Sequence, residues 1–87
     1  MYQVQIDRAA VKFIKNQVPK IKRQLFNKIK SLEVNPRPGN IEPIKGTKGL
    51  FRIRTGNYRI VYKILDKKLL VLVARVNDRK DVYKRLT

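Results

Sequence analysis

The sequence predicts an α+β fold in the order β-α-α-β-β-β. Two N-terminal helices pack on a mostly antiparallel four-stranded sheet, and a short helical turn closes the C-terminus. Three observations carry this prediction. The apolar period changes from about 3.6 to 2 at Leu50. The last three strands are joined by turn signals so short that neighbours must run antiparallel. A length of 87 residues holds one modest core, so residues 1–87 form a single domain, with no repeat, low-complexity segment or linker.

The first strand is "YQVQI", where Tyr2, Val4 and Ile6 alternate with Gln3 and Gln5. Asp7 then stands as N-cap of "RAAVKFIKNQ", in which Ala10, Phe13, Ile14 and Gln17 fall at helical spacing. Pro19 suits the first turn of a second helix, whose apolar stripe is Ile21, Leu25, Ile29 and Leu32, flanked by Phe26. "NPRPGN" stops that helix, and the segment up to Gly49 reads as a loop anchored by Ile41 and Ile44. Strands follow at Leu50–Arg54, Tyr58–Leu65 and Leu69–Val76, separated by "TGN" and "DKK". In the tail, Asp78 is a reasonable cap for the closing helical turn, with Asp81 behind it.

Composition removes whole classes of chemistry. The chain has no cysteine and no histidine, hence no thiolate nucleophile, no usual general base and not the commonest metal ligand. Its six carboxylates are scattered, forming neither a metal cage nor an acid/base pair, and no cofactor is expected. Twenty-two Lys and Arg give a net charge of +16, which points to a polyanionic partner. Eight of these residues precede Asn35 and fourteen follow it, so the charge belongs to the folded body. No apolar run approaches a membrane span, and the N-terminus lacks the core of a signal peptide; a soluble cytoplasmic protein is expected.

The stretch "FRIRTGNYRIVYKI" concentrates the charge. With the turn at Gly56-Asn57, Arg54 lies opposite Arg59, and Arg52 shares their side with Val61. Phe51, Ile53, Tyr58, Ile60, Tyr62 and Ile64 point the other way, toward the helices. Like charges opposed on adjacent strands are destabilising by up to about 1 kcal/mol per pair. No acid lies within the stretch to neutralise them, and a ligand with several phosphates would reverse the sign of the effect. A solvated face of splayed basic side chains is the alternative. Arg79 and Tyr83 are four residues apart and share a helical face beyond the last strand; Tyr83 either joins the site or tucks its ring over the sheet edge.

The element order, "IKGTKGLFRIRTGNYRIVYKI" and "VARVNDRKDVYKRL" together resemble the RelE/ParE superfamily of bacterial and archaeal type II toxins. Its most specific part is Gly56 to Ile64 followed by the Arg79…Tyr83 pair. The resemblance implies the helix-flanked sheet already deduced. It also implies one of two activities: RelE-like members cleave messenger RNA in the ribosomal A site, whereas ParE-like members act on DNA gyrase. RelE-like members are held inactive by a partner antitoxin that wraps around the toxin. Carried over by position, Arg52 and Arg54 match two basic strand residues, often lysines, Arg59 matches the arginine of the "YR" step, and Arg79 and Tyr83 match the C-terminal pair. Many members have His just before the C-terminal arginine. Asp78 stands there in this chain, so a scheme using that His cannot operate.

These expectations define an endoribonuclease with catalytic residues Arg52, Arg54, Arg59, Arg79 and Tyr83, and with Lys45, Lys48 and Arg75 as further RNA contacts. The RNA 2′-OH would attack the adjacent phosphate while guanidiniums stabilise the added charge. The expected partners are an acidic antitoxin, messenger RNA in the ribosomal A site and ribosomal RNA. A gyrase inhibitor and a non-catalytic RNA- or ribosome-binding module are the alternatives.

Overall fold

Asp7 opens the helical half of the molecule as its sequence position suggests. In a computed structural model, which describes residues 1–78, its Oδ2 accepts the Ala9 backbone N–H at 3.2 Å. Helix α1 (Arg8–Lys15) follows β1 (Gln3–Ile6), and α2 (Pro19–Ser31) starts on its proline. Leu25, Ile29 and Leu32 of the predicted stripe are buried and Ile21 half-buried, while Phe26 at its flank stays exposed. The helices cover one face of the sheet with Ala10, Ile14 and that stripe. Across from them lie Ile53, Ile60, Tyr62 and Ile64, then Val71, Val73 and Val76.

Strands β3 (Leu50–Thr55), β4 (Tyr58–Leu65) and β5 (Leu70–Asp78) form the predicted meander, with both pairings antiparallel. β1 adds to β5 in parallel, pairing Val4 with Val71 and Ile6 with Val73. The sheet has five strands instead of the expected four, in the order β1-β5-β4-β3-β2. The fifth is β2 (Glu42–Pro43), inside the segment read as a loop. Two residues carry no period, and Pro43 is tolerated because this strand is an edge. β5 runs two residues beyond Val76 and ends with Asp78 paired opposite Tyr58, so Asp78 is a strand residue. The expected C-terminal helical turn lies outside the described residues.

Side-chain contacts through Pro36 and Arg37 fasten the "NPRPGN" loop. The buried Tyr62 hydroxyl donates to the Pro36 carbonyl at 2.8 Å. Arg37 grips Asp66 through both Nη atoms at 2.9 and 2.7 Å, and the Tyr2 hydroxyl donates to the same carboxylate at 2.7 Å. Those hydrogen bonds, Arg37 first, hold the Asp66 carboxyl down at about 2. Arg37 also stacks over the Phe51 ring, 5.9 Å from its centre, so this cation serves the loop.

Candidate nucleic-acid interface

The site begins at the β3–β4 turn. Thr55 pairs with Tyr58 across a two-residue loop, and Gly56 has φ +60. A left-handed first central residue is the requirement of a II′ turn, which matches the strand twist. Its core side is tied to both helices. Gln24 of α2 donates to Thr55 Oγ1 at 3.2 Å, the Tyr58 hydroxyl donates to Gln17 at 3.4 Å, and the rings of Phe13 and Tyr58 meet edge to face. These contacts fix which side of the hairpin is free.

On the free side the register assembles cations in rows across the sheet. Arg54 is directly opposite Arg59, which in turn faces Asn77. The next row is Glu42, Arg52, Val61 and Arg75, one residue from each of β2 to β5. Beyond it lies Lys63, paired with Leu50 and Leu72. Strands are about 4.8 Å apart and alternate residues about 7 Å apart, so these charges share a patch smaller than a short oligonucleotide. Arg75 reaches it through a bulge: the register slips between Val61 and Tyr62, leaving Ala74 unpaired. Without that extra residue Arg75 would fall on the core face.

The expectation that no acid serves these arginines is corrected by β2. Glu42 lies across from Arg52 and accepts a hydrogen bond from its Nη2. That bond, with the charges of Arg52, Arg54 and Arg59, holds the Glu42 carboxyl below the usual carboxylate range. Even so, donors remain. The Nε atoms of Arg52 and Arg59 are buried and have no acceptor, an arrangement that costs stability unless a ligand satisfies it.

Lys45 and Lys48 sit in the exposed β2–β3 connection before the Leu50 end of β3, and Leu50 itself is four residues, about 13 Å, from Arg54. They extend the basic surface at that end and do not meet the Arg54–Arg59 pair. Arg79 and Tyr83 lie outside the described residues. Lys63 was absent from the expected set, although two-residue spacing from Arg59 and Val61 places it on this face. Among the described residues no three acidic side chains gather to hold a metal ion.

The family described as the ParE toxin of the type II toxin–antitoxin system parDE matches residues 4–83. The chain belongs to the RelE/ParE superfamily of type II toxins. Within it, the chain is 26% identical over 86 residues to the RelE1 protein of Methanocaldococcus jannaschii, covering 95% of this chain and 96% of that one. It is 30% identical over 86 residues to a RelE-like protein of Escherichia coli, covering 94% and 90%. The RelE of a Pyrococcus horikoshii RelE–RelB complex superposes with a TM-score of 0.80 at 25% identity, over 90% of this chain and 94% of that chain. As a RelE/ParE toxin, the chain is the toxic half of a toxin–antitoxin pair. No described helix is long and apolar enough to cross a membrane.

Proposed function

We propose that this RelE-like toxin is an endoribonuclease that cuts messenger RNA in the ribosomal A site and so stops translation. The observation that carries the reading is Arg54 set directly opposite Arg59, with Arg52 and Arg75 in the adjacent row. The scissile phosphate lies among these groups, its neighbouring 2′-OH attacks in line, and a 2′,3′-cyclic phosphate and a 5′-OH end result. Guanidinium stays charged throughout, so Arg52, Arg54, Arg59 and Arg79 stabilise the phosphorane-like charge and do not act as bases. Tyr83 stacks on a base or takes part in proton transfer. Lys45, Lys48 and Arg75 hold the strand on either side. The ribosome supplies much of the substrate orientation, which fits a site without histidine.

An acidic antitoxin complements the net charge of +16, as RelB accompanies RelE in the Pyrococcus horikoshii complex. A second reading, inhibition of DNA gyrase, draws on the ParE description of the matching family. Induced expression with mapping of transcript 5′ ends separates the two. The RNase reading predicts new 5′ ends inside translated messages, lost with Arg59→Ala and with Tyr83→Phe. DNA breaks and an SOS response with intact transcripts would establish the gyrase reading instead.

A further inference from the structure

Glu42 has fewer contacts than Asp66, the other acid in an ion pair among the described residues, and that difference has a use. Asp66 is gripped by both Nη atoms of Arg37 and by Tyr2, whereas Glu42 is held by one contact from one arginine nitrogen. Glu42 rides on a two-residue edge strand, and its side chain is 52% exposed against 32% for Arg52. Solvent therefore screens the pair and reaches the carboxylate directly. The carboxylate also stands at the end of the row Arg52–Val61–Arg75, beside the Arg54–Arg59 pair whose charges it feels. Arg52 still has an unsatisfied Nε when Glu42 is bound, so one carboxylate does not use its donor fork fully. The two non-bridging oxygens of a phosphodiester can take two donors of that fork, where Glu42 takes one.

We propose that Glu42 is a displaceable internal counter-ion of the arginine face: it occupies Arg52 in the free protein and gives it up to a phosphate of a bound RNA strand. The proposal rests on the reading of this face as an RNA-phosphate surface. Glu42 thereby lowers the affinity for loose polyanions. A strand that also engages Arg54 and Arg59 has enough contacts to displace it. Specificity then comes partly from a built-in competitor.

Fluorescence anisotropy with a short labelled 2′-O-methyl RNA, which has no free 2′-OH to react, tests this at low salt. Glu42→Gln binds several-fold more tightly than the wild type. Glu33→Gln, the same charge change at a residue just beyond α2 whose carbonyl accepts from Tyr2, gains clearly less. In an Arg52→Ala background the gain from Glu42→Gln disappears, which a general charge effect would not produce. Glu42→Gln binding no better than Glu33→Gln, or keeping its gain without Arg52, overturns the counter-ion. If Arg54→Ala/Arg59→Ala weakens binding in that case, the RNA face still stands. If the double arginine variant binds like the wild type, the face and the counter-ion fall together. A Glu42→Gln toxin that binds RNA more weakly than the wild type also overturns the proposal.

Discussion

Gly56→Ala tests how the site is held in register. Gly56 has φ +60, and a Cβ built there comes 2.6 Å from Gln24 Nε2. Holding an L-residue in left-handed backbone costs about 1–2 kcal/mol. The Gln24 amide is the free end of a flexible side chain and can swing aside, but then loses its hydrogen bond to Thr55, worth about 1 kcal/mol. The variant should lose about 2–3 kcal/mol, lowering Tm by about 10–20 °C for a chain of this size. Circular dichroism melts measure it, and a second substitution sharpens it. Gln24→Ala alone should cost about 1 kcal/mol. In the Gly56→Ala background it should cost almost nothing, since the hydrogen bond is already gone. A Gly56→Ala melt within a degree or two of wild type would refute the turn argument. Equal costs of Gln24→Ala in both backgrounds would refute the link between turn and helix.

Three other outcomes follow from the same geometry. Burial holds the Tyr62 phenol at about 12 instead of 10, so stability fully present below pH 10 falls as pH rises from 10 to 12. Tyr62→Phe blunts that alkaline loss in pH-dependent denaturant melts, yet costs about 1 kcal/mol at neutral pH by leaving the Pro36 carbonyl without its donor. Arg54→Gln removes a like charge directly opposite Arg59 and should raise stability by up to about 1 kcal/mol at low salt, with the gain shrinking as salt is added. Leu69, half exposed with φ +49, is a non-glycine residue in left-handed backbone; Leu69→Asn should raise Tm by several degrees, Asn tolerating that conformation better.

The parts legible in the sequence were those with a long period or a local turn. Tyr58–Leu65 matches β4 in full, because its alternation spans eight residues and the glycine turn fixes its start. The same turn fixes the Arg54–Arg59 pairing. β2 was hidden because two residues cannot alternate, and with it went Glu42, whose partner is ten residues away on a strand of unknown register. The parallel pairing of β1 with β5 joins residues more than sixty positions apart, where local patterns carry no information. The bulge left a trace that could have been read. Val71, Val73 and Val76 are spaced by two and then three, so Arg75 had to change faces. Lys63 is equally placed by alternation, but an isolated lysine looks like ordinary surface.

Repulsion between Arg54 and Arg59 persists, on this account, because RNA phosphates come to lie on them. The slope of log binding constant against log salt for a single-stranded RNA measures that directly. Each phosphate contact contributes about 0.7 to it, so Arg54→Ala/Arg59→Ala should flatten the slope by about 1.4. A double variant with the wild-type slope and affinity would mean that the strand binds elsewhere on the protein.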